Sequence, residues 1–434
     1  MQVVPIAVPR PALARARPLL AAAALAGLVL CGALLCMHAA AGESGFIPAS
    51  WHGLPGWMAG PLPAVGGPLY SSLYADLLVA MCGCYAVVVG LARHVEARTA
   101  VAAIVVLHVL FLLAPPLLSA DLFGYIDYAR IGAVHGLDPY AHGPASAPHD
   151  EVFAFVRWRG ELPSPYGPLF TLGSYALAPL SVAASFWVLK AVAALASLAI
   201  VSLVWDAARR LRIAPVPAAM LFGLNPLVLV WAVGGGHNDL LVVLAVTGGV
   251  WLAVAGRQRL AGAALAAAAA VKVSATVALP FLVAGARGRR REPVTGALVA
   301  GAAALAVTLA VFGTGAGGML RAQVDQQNLE ATASVPNQVG RLLGLGWITD
   351  GIRGVGLALF VAALAAFLVS TWRGRLDWIA ATGWATLALL VTSAWLMPWY
   401  VTWVLPLAAL GRDRRLLAAA LALCAYLVVM RTPL

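Results

Sequence analysis

The chain has 434 residues, of which 62% are hydrophobic and 10% charged, and its mean hydropathy is +0.91. A soluble domain carries roughly a quarter charged residues, so a water-soluble globular protein is excluded and an all-α polytopic membrane protein is implied. The formal charge of +11 does not point to nucleic acid, because the arginines fall in short clusters between apolar runs, where they act as topology signals.

In chain order, Arg10, Arg15 and Arg17 precede a first apolar span at residues 18–41. The arrangement has the look of a signal peptide, and AAAG at 39–42 has the look of a cleavage site, but the apolar run is too long for most such peptides and reads as a retained span with a cytoplasmic N-terminus. A second span, 71–92, returns to Arg93, His94 and Arg98, and a third, 99–118, delivers Asp121 outside. Residues 18–118 therefore form the N-terminal spans, and 119–165 the first large external loop. A span ending near Trp205 leads back to Arg209, Arg210 and Arg212; 214–233 goes out, and 240–256 returns to Arg257 and Arg259.

Residues 260–285 have arginines at both ends, Arg257 and Arg259 before them and Arg287, Arg289, Arg290 and Arg291 after. The positive-inside rule then favours two half-length helices that fold back near Lys272 over a single crossing with a snorkelling lysine. From there 293–312 goes out, 313–350 is the second external loop, 352–372 returns, 378–397 goes out to Pro398-Trp399-Tyr400, and 416–430 ends the chain. The sum is about 11 to 13 transmembrane or re-entrant helices in a single domain, 1–434, with both polar loops and the polar triad at 237–239 on the external face. The five cysteines, Cys31, Cys36, Cys82, Cys84 and Cys424, all lie in apolar segments and make neither a disulfide framework nor a metal pattern.

Several residues on that face have chemistry to offer. In SADLFGYIDYAR (119–130) a helix starting near Ser119 brings Asp121, Gly124, Tyr125 and Tyr128 onto one side and leaves Asp127 and Arg130 as i, i+3 neighbours on another. Asp121 is then either a free carboxylate for acid–base work or a helix N-terminal charge favoured by the dipole. Tyr140 in GLDPY and Tyr166 in SPYGPLF stand on Pro- and Gly-stiffened turns, to stack on a sugar or to anchor the loop at the interface. His237, Asn238 and Asp239, after Gly234–Gly236, offer hydrogen bonds to sugar hydroxyls, or a helix cap at Asn238 or Asp239. Lys272 reads as the only intramembrane lysine of its region, and such a charge suits a phosphate whose lipid tail lies in the bilayer, with Arg130 as a second ligand.

These motifs, in order SADLFGYIDYAR, GLDPY, SPYGPLF, NPL…GGGHND, LAAAAAVKVSATVALPF and MPWYVTWVLPL, resemble the integral-membrane glycosyltransferases of the GT-C superfamily. The resemblance is closest to bacterial polyprenol-phosphate-mannose-dependent α-mannosyltransferases of the mycobacterial lipomannan α-1,6 type, and it covers residues 99–411. It implies a GT-C-like fold in the bacterial inner membrane and an inverting transfer of a hexose, mannose first, from a polyprenyl-phosphate donor to a glycan or glycolipid acceptor on the external face. By position Asp121 becomes the general base; Arg130 and Lys272 take the donor phosphate; Tyr125, Tyr140, Tyr166, His237, Asn238, Asp239, Trp399 and Tyr400 surround sugar or acceptor. No cofactor is implied and a metal is optional. Two features depart from the pattern: the candidate base follows a third span instead of the first, and Leu122 stands where some relatives have a second acid, which leaves Asp127 as the rival base, with Asp239 a further alternative. A flippase for lipid-linked glycans is the competing class, since it too needs cations facing a lipid phosphate.

Overall fold

The computed structural model describes residues 10–48, 54–160 and 162–432. Among them there are helices and no strands, the arrangement that satisfies backbone hydrogen bonds within each segment where a bilayer offers none. Five helices are long and apolar enough to cross a membrane: Ala16–Ala40, Ser71–Gly90, Val182–Arg210, Arg291–Gly315 and Asp350–Trp372. Shorter apolar helices, among them Ala97–Leu113, Asp239–Val254 and Trp378–Thr392, fill the space between them.

Departures from the expected span limits have local causes. The third span stops at Leu113, because Pro115 and Pro116 follow and hold the residue ahead of them out of the helical region. Residues 114–120 then run non-helically to the next helix, with Leu118 at φ 63°. The expected 214–233 span breaks at Asn225-Pro226 into the helix Pro215–Gly223 and a π-helical stretch, Val228–Val233. Pro226 brings no N–H, and the Asn225 side chain accepts from the backbone N–H groups of Leu227 and Val228 to restart the helix.

Residues 258–285 form the expected fold-back. The helix Gln258–Val271 ends at Lys272, whose backbone is extended (φ −155°, ψ 127°), and a 3-10 turn, Val273–Val277, leads into Ala278–Gly285. Leu265 packs against Ala278 and Leu282 across the hairpin, and past its end Arg289 Nη2 donates to the Gly256 carbonyl at 3.3 Å. The chain thus returns to the level from which it left, and Lys272 is the apex.

That contact belongs to an end of the bundle where the arginine clusters meet. The Arg290 guanidinium sits 3.5 Å from the Trp372 ring centroid, beside Arg373, and Arg412 donates to the Leu211 carbonyl. Helices Arg291–Gly315 and Asp350–Trp372 are only 6% buried over their most apolar windows and are the lipid-facing flank, whereas half of the Val182–Arg210 window is buried. The candidate site lies at the opposite end from the arginines.

Candidate active site

The helix Asp121–Ala133 starts where the proline segment releases the chain. Ser119 Oγ accepts from the Asp121 backbone N–H at 3.1 Å, and the carboxylate sits in the first turn, where the helix dipole favours it. Asp121, Gly124, Tyr125 and Tyr128, one side of this helix, line a cleft of about 900 Å³. Facing them are Tyr166, Asn238, Asp239, Lys272, Trp395, Trp399 and Tyr400, with Arg157 and Trp158 at the mouth. The second polar loop contributes Ala322 and Leu329 as a lip, and its Gln323 donates to the Pro165 carbonyl.

Asp121 keeps 32% of its side chain open to this cleft. Its Oδ2 is 3.4 Å from His237 Nδ1, an electrostatic contact long for a hydrogen bond. The imidazole stacks on the Trp399 ring (centroids 3.7 Å apart, 18° between planes), and neither ring nitrogen has a hydrogen-bond partner. Burial works to raise the Asp121 carboxyl, but His237 and the Lys272 charge outweigh it and hold the group below the usual carboxylate range. The carboxylate is therefore ionised at neutral pH and open to the cleft.

Lys272 donates to Asp239 Oδ1 at 2.8 Å, and Trp403 Nε1 donates to the same oxygen at 2.8 Å. The ammonium lies 4.9 Å from the Tyr400 ring centroid and 5.2 Å from that of Trp403, within cation–π range. Asp239 thus fixes the lysine rather than facing substrate as a free base. Tyr125 Oη bridges the side-chain oxygen and backbone N–H of Asn238, at 3.3 Å each, and Asn238 Nδ2 has no partner. Asn238 occupies the cap position of the helix Asp239–Val254 but makes no side-chain cap bond, so its amide is available for a ligand.

Two residues expected at the site lie elsewhere. Arg130 is not a cleft residue: its Nε donates to both oxygens of Asp150, at 2.8 and 2.9 Å. Its expected pairing with Asp127 is absent as well, because Asp127 is buried on the far side of the helix with Oδ2 unpartnered. Tyr140 is a loop anchor, buried, donating toward the Tyr166 carbonyl and Thr171 Oγ1 and packed edge-on to Phe312. Among the described residues no three His, Cys, Asp or Glu side chains converge as metal ligands.

A profile described as the alpha-(1->6)-mannopyranosyltransferase N-terminal domain matches residues 21–288, and one described as the MptB C-terminal domain matches 330–434. The chain belongs to this family of mannosyltransferases. It is 33% identical to alpha-(1->6)-mannopyranosyltransferase A of Mycobacterium tuberculosis over 74% of its own length and 68% of the relative's. With alpha-(1->6)-mannopyranosyltransferase B of Corynebacterium glutamicum the identity is 28%, over 69% and 56%. A probable alpha-(1->6)-mannopyranosyltransferase of Mycolicibacterium smegmatis is 28% identical over 69% and 62%. The chain thus spans between about half and two thirds of these relatives' length. No solved structure matches it.

Asp121, the 237–239 triad, Lys272 and the aromatic corner all fall inside the family-matched segments, and only the lip at Ala322 and Leu329 falls between them. The sequence reading passed over Trp403, although MPWYVTWVLPL contains it, and over Arg157 and Trp158, whose loop has no motif to mark it. It also passed over Lys190, a second buried lysine, which sits in an otherwise ordinary apolar span.

Proposed function

We propose that the protein transfers a mannosyl residue from a polyprenyl-phosphate donor to a hydroxyl of a glycan or glycolipid on the external face of the plasma membrane. The observation that carries the donor is the position of Lys272. It lines the polar cleft and also an adjoining open groove of about 1510 Å³ whose walls include Val273, Val277, Leu357, Phe360, Leu389 and Leu390. Leu357 belongs to the lipid-facing flank and is 64% exposed. A cation at the junction of a polar-lined cleft and a lipid-facing apolar groove fits a ligand with a phosphate between a sugar and a hydrocarbon tail. The arginine clusters at the other end of the bundle support an external site and a cytoplasmic N-terminus.

The chemistry is a single displacement. Asp121 removes the proton from the acceptor hydroxyl as that oxygen forms its bond to the anomeric carbon. The bond from the anomeric carbon to the phosphate oxygen breaks with inversion, and its electron pair leaves on the polyprenyl phosphate. Lys272 balances the charge that grows there, acting where ground and transition states differ. The reading requires no metal, since the leaving phosphate meets a fixed cation. Asn238, which lines the cleft with an unpartnered amide nitrogen, suits a sugar hydroxyl, Tyr166 and Trp399 offer ring faces, and the buried His237 acts behind Asp121.

The test is transfer of radiolabelled mannose from a polyprenyl phosphate to a short mannan by reconstituted protein, wild type beside Asp121→Asn. Loss confined to chemistry, with donor binding kept, is expected. Wild-type protein that transfers no hexose from any polyprenyl phosphate but moves the lipid across vesicles would overturn the reading in favour of a flippase.

A further inference from the structure

Lys190 is one of two lysines in the chain, Lys272 being the other, and it has no accessible surface. It lies in the helix Val182–Arg210, about 12 Å of helix rise from the site end. Among the described residues its side chain has no carboxylate partner; it donates to three backbone carbonyls, Ala114 at 2.5 Å, Pro115 at 3.3 Å and Gly234 at 3.3 Å. Three donors meet three acceptors, the full capacity of an ammonium. The Phe186 and Trp187 rings, 5.9 and 6.0 Å away, complete its surroundings.

The acceptors come from two segments: one leads to Asp121, which lines the cleft, and the other to His237, which is buried behind it. Ala114 and Pro115 begin the non-helical run that ends at Asp121. Gly234 begins the turn that ends at His237. The same segments touch again: the Leu117 N–H donates to the Gly234 carbonyl at 3.2 Å, and a Cβ on Gly236 would stand 2.7 Å from the Leu122 side chain. Between them Leu118 holds φ 63°, a backbone state that strains a non-glycine residue and persists only where its surroundings impose it. The carbonyls of Ala114 and Pro115 lie in a segment with no regular helix or sheet to satisfy them, at a depth where water is scarce.

We infer that Lys190 is a positioning residue for the transfer reaction: by clamping the Ala114–Pro115 segment to Gly234 it sets the approach of His237 to Asp121. The ammonium never meets substrate and acts through the 3.4 Å Asp121–His237 contact. The inference rests on the proposed role of Asp121 as base.

The experiment is a double-mutant cycle on reconstituted full-length protein, with Lys190→Met, His237→Ala and the pair, measuring kcat, donor KM and the thermal midpoint. Lys190→Met is expected to lower kcat about 10- to 100-fold, the scale of an ångström-level misplacement, with donor KM within about twofold. In the His237→Ala background the same change should cost less than about threefold, because the contact it serves is already gone. Lys190→Gln, which keeps two N–H donors, should recover part of the loss. If Lys190→Met does not fold, Lys190→Gln carries the cycle; failure of both to fold makes the lysine purely structural and overturns the inference. So do wild-type kcat in Lys190→Met, a loss confined to donor KM, or losses that multiply fully in the pair. Asp121→Asn run alongside separates the two claims, for if it keeps wild-type kcat the base assignment fails whatever Lys190 does.

Discussion

Asp121 and Asp127 lie on one helix, six residues apart, and face opposite surroundings. Asp121 opens to the cleft, with an imidazole and an ammonium near it, and its carboxyl is held below the usual range. Asp127 is packed away from the cleft, and burial together with the nearby Asp150 carboxylate pushes its carboxyl up to about 7, against a smaller opposing pull from Arg130. The cation that neighbours Asp127 in sequence is spent on Asp150, whose carboxyl, despite burial, is held low by Arg130, the Val152 N–H and His135. Identical side chains on one helix thus titrate in opposite directions from the usual carboxylate range, and the difference comes from burial and from which charges the rest of the chain brings near. One side of the helix is built for chemistry and the other for fastening the 144–150 loop.

The sharpest way to break this contrast is to remove each carboxylate in turn. Asp121→Asn should lower kcat about 10²- to 10⁴-fold with donor KM little changed, in a transfer assay on protein whose thermal midpoint matches wild type. An equal loss from Asp127→Asn would show that the two sides have been assigned in reverse. Lys272→Met strands Asp239, which is 2% exposed, and should destabilise the fold by about 3–5 kcal/mol besides abolishing transfer. In Lys272→Met/Asp239→Asn the stability should return while activity stays lost, and recovery of activity would remove Lys272 from the chemistry.

Smaller effects are expected from the fastening side. Arg130→Met leaves the buried Asp150 with His135 and backbone alone, and should cost about 1–3 kcal/mol of stability while donor KM holds; a raised donor KM would restore Arg130 to the phosphate. The smallest is a pH effect. Asp127 binds a proton in the folded state up to about pH 7 but in the unfolded chain only up to about pH 4. Its folded state is thus favoured at low pH, and that contribution declines as pH rises from about 4 to 7. Asp127→Asn should therefore gain stability relative to wild type as pH rises from about 4 to 7 in thermal scans, with activity within about threefold. A constant difference across that window would mean that Asp127 is ionised throughout.

Much of this was legible beforehand, for reasons that can be named. Asp121, Gly124, Tyr125 and Tyr128 share a side because a helix repeats every 3.6 residues, so the cleft face of Asp121–Ala133 follows from spacing alone. The fold-back at Lys272 followed from arginines at both ends of 260–285. Sequence spacing offers Arg130 an i, i+3 neighbour in Asp127, and the family resemblance offers it the donor phosphate, but its partner in the structure is Asp150, from a loop whose path no local pattern reveals. Tyr140 looked like a sugar platform for the same reason it anchors a loop, an aromatic between turn residues, and only its bonds to Tyr166 and Thr171 tell the two apart.

The sequence by itself determined the solvent, the helical class, the end at which the arginines gather and the short segments that carry the polar groups. These are properties of composition and of local period, and they need no knowledge of neighbours in space. The tertiary structure alone decided that Asp239 holds Lys272, that Trp399 stacks on His237, and that Lys190 joins the segments leading to Asp121 and His237. Each depends on residues 33 to 162 positions apart, or on backbone carbonyls that have no side-chain signature. Such pairings are set by how helices pack, which is where the charge of each buried group, and so its chemistry, is fixed.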